Sequence, residues 1–204
     1  MTRRFAALLL ALTLVGSSAV FLVGCSEGGG EVEDATTPAA EQTEVSESAE
    51  SVAGDVGAAP GQVPPPFTLK DLDGGDVSLT DFEGKVVVLD LWATWCGPCR
   101  VEIPFLVSLY NDHRDEGLVV LGVGLDRGGA AVLAPFAEEY SVTYPVLVAD
   151  RAVPAAYGVR SIPMTLVIGR DGRVAHRHVG FTPAIGEQME REVVALLAVG
   201  AEGA

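Results

Sequence analysis

The chain has 204 residues, and its 28 acidic side chains outnumber its 13 Lys and Arg residues, which gives a formal net charge of −15. This acidic balance provides no electrostatic footprint for nucleic acid and excludes it as a partner. The sequence contains three cysteines and three histidines. These are too few for a structural disulfide framework, and they do not indicate an ordinary four-ligand zinc site.

The chain begins with a basic and then apolar leader. Two arginines precede the apolar residues 5–23, the pattern of a secretory signal. Leu22–Cys25 (LVGC) resembles a lipobox, the signal at which bacterial lipoproteins are cleaved before the cysteine and lipidated on it. We therefore predict a signal peptide at residues 1–24, lipidation of Cys25, and an extracytoplasmic protein anchored to a bacterial membrane. An uncleaved run of about 19 apolar residues would also be long enough to span a membrane, so this alternative stays open.

An acidic segment follows the leader. Residues 26–63 contain nine acidic residues and no Lys, Arg or aromatic residue, and the remaining residues 64–204 have a net charge of −8. Such a composition cannot bury enough apolar surface to fold. We predict that residues 25–63 are a lipidated cysteine with a disordered tether and that residues 64–204 form one domain. The acidic composition of the tether is equally consistent with a stalk that has no role beyond spacing.

The apolar pattern after residue 63 predicts an α/β domain. Turns at 73–75 and 171–172 contain Asp-Gly, which indicates two hairpins, and the long apolar runs indicate buried strands. The predicted strands are 67–70, 76–79, 85–92, 118–125, 145–148, 164–168 and 173–179, and the predicted helices are 98–114, 130–140, 152–157 and one from Pro183 capped by Thr182. This order predicts a mixed central sheet flanked by helices.

The segment Trp95–Cys99 (WCGPC) carries the strongest chemical signal. Its two cysteines stand at i and i+3 where a buried strand gives way to a helix, so they are neighbours at a separation that suits a disulfide. A helix N-terminus favours the thiolate of Cys96, which would attack a disulfide, and Cys99 would resolve the product. Gly97 and Pro98 lie between them, and Pro98 suits a helix start. A purely structural disulfide is the alternative, although so short a loop gains little stability.

Three segments carry a resemblance to known proteins. Residues 92–99 (WATWCGPC) resemble the active-site segment of the thioredoxin superfamily. Cys99–Pro104 (CRVEIP) is similar to the extracytoplasmic TlpA/ResA-type members, and residues 161–165 (SIPMT) resemble the cis-proline loop of that fold. The resemblance implies a thioredoxin-like fold with an N-terminal β-hairpin and a central insertion. It also implies a thiol-disulfide oxidoreductase that needs no cofactor.

The resemblance also implies partners. The substrates would be cysteine-containing exported proteins, with apocytochromes c before haem attachment among the candidates, and a transmembrane electron donor or acceptor would serve the cysteine pair. Gly97 and Pro98 are the same two residues that stand between the cysteines of thioredoxin itself, and this resemblance favours a reducing enzyme. A cis bond before Pro163 would let the backbone of Ile162 bind an extended substrate. Trp92 and Trp95 would flank the disulfide, with core packing as the alternative for Trp92.

Two acidic residues complete the predicted site. Asp90 interrupts a buried strand, where a carboxylate is costly and its pKa rises. By resemblance it matches the buried acid of thioredoxin and would relay a proton to or from Cys99, although many TlpA/ResA-type proteins have an uncharged residue there. Glu102 would, by resemblance, tune proton transfer at the cysteines. The alternatives are a partly solvated Asp90 and a solvated Glu102 favoured by the helix dipole.

Two other functions are consistent with such a fold. A thiol peroxidase shares the fold, and Asp126 and Phe136 fall in a related central insertion, but Cys96 lacks a Pro-Thr-Cys context. A metal or peptide chaperone would use the same cleft without turnover. His176 and His178 share one face of a strand, yet the two cysteines stand closer in sequence than in copper-handling relatives. We therefore predict no metal site.

Overall fold

The computed structural model describes residues 55–199, so Cys25, the signal peptide and most of the tether lie outside the described part. The strands are β1 (Thr68–Asp71), β2 (Asp76–Ser78), β3 (Val86–Trp92), β4 (Leu118–Gly124), β5 (Val146–Val148), β6 (Met164–Ile168) and β7 (Val174–Val179). The helices are α1 (Gly97–His113), α2 (Ala130–Glu139), α3 (Val153–Ala156) and α4 (Pro183–Ala198), with 3₁₀ turns at Leu79–Phe82 and Arg114–Glu116. The predicted α/β order is confirmed. No helix within residues 55–199 has the length and apolar character needed to cross a bilayer.

Within the described residues, the seven strands form one mixed sheet in the order β2-β1-β5-β4-β3-β6-β7. The pairs β3–β4 and β4–β5 are parallel, and the other neighbouring strands are antiparallel. All seven residues of β3 are buried, as expected for an interior strand covered on both faces. The mixed central sheet with an N-terminal hairpin at its edge is therefore as predicted.

The sheet separates two hydrophobic clusters, because successive side chains of a strand point to opposite faces. Val88 and Trp92 face the cluster that α1, α2 and α4 cover, whereas Leu89 and Leu91 face the cluster that includes α3. Asp90 lies between Leu89 and Leu91 in the chain, so its carboxyl group points toward α1. A carboxyl group thus lies within a largely apolar face.

A polar row crosses this face of the sheet. The strand register places Asp90 beside Gly122 of β4 and beside Thr165 of β6, and Thr165 is in turn paired with His178 of β7. Paired residues of neighbouring strands present their side chains on the same face. The row therefore runs from the middle of the sheet to its β7 edge.

The residues before β1 pack onto the β6–β7 hairpin. Two nitrogens of Arg173 donate to the carboxylate of Asp55 at 2.8 and 2.9 Å, and the backbone N–H of Gly61 donates to Val174 at 2.8 Å. The folded domain thus includes residues 55–63, ahead of the boundary that composition predicted. The composition of this segment does not reveal that a distant arginine and a strand edge supply its partners.

Candidate active site

Cys96 and Cys99 form a disulfide at the start of α1. Their sulfurs are 2.02 Å apart, their Cα atoms are 5.3 Å apart, and Cys96 is the N-cap of the helix. The backbone N–H of Cys99 donates to Cys96 Sγ at 3.2 Å. An amide donor and the helix dipole therefore both favour a thiolate at Cys96 once the disulfide is reduced. Cys96 is 5% exposed and Cys99 is fully buried, so Cys96 is the cysteine that reaches the surface.

The residues around the disulfide are exposed on one side and buried on the other. Trp95 is 71% exposed, and Gly97 and Pro98 are exposed as well. Trp92 is instead a core residue, with its ring 5.0 Å from that of Phe136. Trp95 is thus the exposed tryptophan beside the cysteines.

The Ile162–Pro163 peptide bond is cis, as the resemblance implied. The backbone N–H of Gly180 donates to the carbonyl oxygen of Pro163 at 2.8 Å. Ile162 is half-buried and packs against the cluster that contains both cysteines. The next residue, Met164, is paired with Leu91 near the end of β3, so this loop and the disulfide lie at the same end of the sheet.

Hydrogen bonds to Thr94 hold the turn before Cys96. The sequence did not reveal that Asp126 and Arg100 make these bonds. The N–H and hydroxyl of Thr94 donate to the two carboxylate oxygens of Asp126 at 3.0 and 2.6 Å. Arg100 Nε donates to the carbonyl oxygen of Thr94 at 2.8 Å, and its guanidinium lies 5.6 Å from the ring centre of Phe136. Asp126 is 32 residues from Thr94, so no local pattern indicates this contact.

Asp90 and Glu102 form a buried acid pair behind the cysteines. Both are 0% exposed, and Thr165 Oγ1 donates to Glu102 Oε1 at 2.7 Å. The other three carboxyl oxygens of the pair have no hydrogen-bond partner among residues 55–199. Burial, and then the charge of Glu102, raise the pKa of Asp90 well above its ordinary value. Burial also raises the pKa of Glu102 to about 7, against the opposing effect of the Thr165 hydrogen bond.

One member of this pair lies close to Cys99 on α1. Glu102 follows Cys99 by three residues, so the two side chains are neighbours on α1. Two carboxyl groups sharing a buried space do not both ionise readily, so the pair retains a proton near neutral pH. The partly solvated Asp90 and the solvated Glu102, both left open by the sequence, are wrong, because neither side chain is exposed.

Two further polar groups lie beside the acids, a placement that the sequence did not reveal. The Tyr144 hydroxyl and Trp92 Nε1 are buried without a hydrogen-bond partner in the described part of the chain. Burial, and then the charges of Asp90 and Glu102, raise the pKa of Tyr144 well above its usual value. Gly122 gives these groups room, since a Cβ there would lie 3.0 Å from Trp92 Nε1 and 3.0 Å from the Tyr144 ring.

The three histidines contact carboxylates outside the disulfide site. His176 and His178 both contact Glu192, at 3.3 and 2.7 Å, and His113 contacts Glu116 at 3.1 Å. Across residues 55–199, no group of three His, Cys, Asp or Glu side chains is arranged to hold a metal ion.

Comparison with known proteins agrees with this geometry. Residues 60–177 match the model of the AhpC/TSA family. The chain is 39% identical over 129 residues to the thioredoxin-like protein YneN of Bacillus subtilis. The aligned residues cover 62% of this chain and 75% of that protein. It is 32% identical over 133 residues to the thiol-disulfide oxidoreductase ResA of Halalkalibacterium halodurans, covering 64% and 73% of the two chains.

A solved structure gives the same result. The crystal structure of a protein described as thiol:disulfide interchange protein DsbE from Chlorobium tepidum superimposes with a TM-score of 0.62 at 35% identity. The match covers 65% of this chain and 94% of the other. A family match over more than half of the chain, together with a cysteine pair in disulfide contact at a helix N-terminus, leads to one conclusion. The chain belongs to the AhpC/TSA family of thioredoxin-like proteins and is a thiol-disulfide oxidoreductase of the ResA and DsbE type.

Proposed function

We propose that this protein is a lipid-anchored, extracytoplasmic reductase that acts on disulfides of exported proteins, with Cys96 as the attacking cysteine and Cys99 as the resolving one. The observation that carries the proposal is the position of Cys96 as N-cap of α1, where the Cys99 N–H donates to its sulfur at 3.2 Å. This environment stabilises a thiolate at the cysteine that reaches the surface. Cys99 lies behind it, fully buried next to the acids.

The reaction proceeds by two thiol–disulfide exchanges. The Cys96 thiolate attacks one sulfur of the substrate disulfide, which forms a mixed disulfide and releases the first substrate thiolate. Cys99 then loses its proton to the pair formed by Asp90 and Glu102 and attacks Cys96 Sγ. This step forms the Cys96–Cys99 disulfide and releases the second substrate thiolate, so two electrons pass to the substrate. An electron donor at the membrane restores the dithiol.

The loop that contains Ile162 and Pro163 is the proposed substrate-binding edge. An extended peptide would bind along the backbone of Ile162, as in other cases of strand addition, with the exposed Trp95 ring on the other side of the disulfide. Residues flanking a reactive cysteine in a substrate would therefore lie between Trp95 and Ile162. Apocytochromes c, whose haem-attachment cysteines must be reduced, are one candidate substrate class.

The proposed direction of electron flow is tested by a redox titration of the protein lacking residues 1–25. Trp95 fluorescence should report the state of the cysteine pair in a series of thiol redox buffers. We expect a reversible two-electron transition near the thioredoxin value of about −270 mV, whereas a value near about −120 mV would make the protein an oxidant.

The same preparation separates the other two functions. Peroxide consumption that outpaces disulfide exchange when a reductant is supplied would favour the peroxidase. Stoichiometric metal retention without any reversible redox transition would favour the chaperone. Either result contradicts the proposed function.

The proposed anchoring is tested by Cys25→Ala in a bacterial host fed labelled fatty acid. The wild-type protein should incorporate the label, and its N-terminal peptide should carry the lipid on Cys25. We expect the variant to lose the label completely, because the acylated sulfur is gone. Cys96→Ala is the matched control and should retain full labelling. An unlabelled wild-type protein that keeps residues 1–24 would instead support the uncleaved membrane span.

A further inference from the structure

The acid pair has no direct access to solvent. Cys99, Asp90 and Glu102 are all 0% exposed, and in the mixed disulfide of the proposed function the substrate covers the Cys96 side. When both acids already hold a proton, Cys99 can give up its own in the resolving step only if the pair passes one on toward solvent. A route that opens elsewhere on the surface would allow this while the substrate is bound.

A cluster of titratable groups lies at the β7 edge, on the same face of the sheet. His178 is nearly buried, and its Nε2 lies 2.7 Å from Glu192 Oε2 of α4. His176 Nδ1 lies 3.3 Å from Glu192 Oε1, and its side chain is 42% exposed. Gln188 Nε2 donates to the same oxygen at 2.8 Å. The cluster therefore extends from a nearly buried imidazole to one in contact with solvent.

Thr165 stands between this cluster and the acids. It is paired with Asp90 on one side and with His178 on the other, and its hydroxyl donates to Glu102 Oε1 at 2.7 Å. Paired side chains on one face have Cβ atoms about 5 Å apart. A hydroxyl both donates and accepts, and a histidine ring takes up a proton on one nitrogen and releases it from the other.

We propose that Thr165, His178 and Glu192 conduct protons between the buried acid pair and solvent at the β7 edge. This inference rests on the proposed function, because it requires Cys99 to lose a proton to the pair. Glu102 passes a proton to the Thr165 oxygen as the Thr165 hydroxyl proton moves to His178. His178 releases a proton from its other nitrogen to Glu192, which gives it to His176 or water. No electrons move along this route.

The charged groups around the route come from four elements. Asp90 of β3 and Glu102 of α1 lie at its inner end, and Glu192 of α4 and His176 of β7 lie at its outer end. Arg177 alternates with the histidines along β7, and its guanidinium contacts the Met164 sulfur at 3.1 Å. It therefore lies on the opposite face of the sheet and does not contribute a proton to the cluster.

The test follows the resolving step after rapid mixing of the reduced protein with a disulfide-linked peptide. Trp95 fluorescence and acid-quenched mass spectra would separate attack by Cys96 from closure by Cys99, in H₂O and in D₂O. The mixing is done at pH 6, where both acids start protonated because burial raises the pKa of Glu102 to about 7 and that of Asp90 well above its ordinary value. For His178→Gln we expect closure to slow by about tenfold or more. The solvent isotope effect should increase, and attack by Cys96 and the midpoint potential should not change. His113→Gln replaces another carboxylate-paired histidine and should behave as wild type.

A second pair of variants keeps the test valid if His178→Gln does not fold. Thr165→Val should slow closure in the same way, and Thr165→Ser, which retains the hydroxyl, should restore it. Wild-type closure rates in both His178→Gln and Thr165→Val would overturn the route. A shift of the midpoint potential that accounts for the slower closure would also overturn it, because the residues would then act only through charge. If wild-type protein performs no exchange, the proposed function itself fails.

Discussion

Cys96→Ser is expected to abolish disulfide exchange, lowering the rate by several orders of magnitude because a serine hydroxyl cannot replace a thiolate that acts as nucleophile. Cys99→Ser should have a different effect. Its Cys96 still attacks but cannot be displaced, so the variant should accumulate a mixed disulfide with substrate. Mass spectrometry under non-reducing conditions would detect one substrate per protein, attached at Cys96.

The asymmetry of the two variants is the decisive observation. Cys96 is the cysteine that reaches the surface and holds the N-cap position, whereas Cys99 is completely enclosed. Trapping by Cys96→Ser rather than by Cys99→Ser would reverse the assigned roles. Cys25→Ser is the matched control, since it removes the third cysteine and should leave the rate of exchange unchanged.

The parts of this fold that are local in sequence could be predicted from it. β3 is a run of apolar residues interrupted only by Asp90, the helix start at Gly97 follows from the adjacent proline, and Thr182 caps α4 by accepting from the N–H of Ile185 at 3.3 Å. The redox-active cysteine pair could be predicted from the spacing of the two cysteines and from the apolar strand before them. In each case the signal lies within a few residues.

The contacts that complete the site are long-range, and the sequence could not reveal them. Asp126 accepts from Thr94, 32 residues away in the sequence, and Thr165 donates to Glu102, 63 residues away. The sequence around one residue of either pair therefore does not indicate its partner. Glu102 shows the same limit, because the sequence pattern near the start of a helix fits a solvated acid equally well. Its burial depends on how α1 sits on the sheet, where Asp90 and Thr165 lie side by side.

The buried acids should make the domain less stable as pH rises through neutrality. The pKa of Glu102 is about 7 in the folded protein, against an ordinary value of 4.5. Between these pH values the folded state binds more protons than the unfolded state, so the free energy of unfolding falls as pH increases. The stability is fully present below pH 4.5 and is lost through about pH 7. The shift corresponds to a loss of about 3 kcal/mol, and Asp90 acts in the same direction.

Glu102→Gln should therefore gain stability relative to wild type as pH rises. The amide does not titrate, so the difference in unfolding free energy between variant and wild type should move by about 3 kcal/mol in favour of the variant between pH 4.5 and 8. Asp90→Asn should change in the same direction. Urea unfolding of the oxidised proteins across this range measures both. Glu139→Gln, which replaces an exposed acid at the end of α2, is the control and should show no comparable trend. A pH-independent difference for both Glu102→Gln and Asp90→Asn would mean that the acids are ionised in the folded protein. Proton transfer from Cys99 to the pair would then have no acceptor whose affinity suits neutral pH.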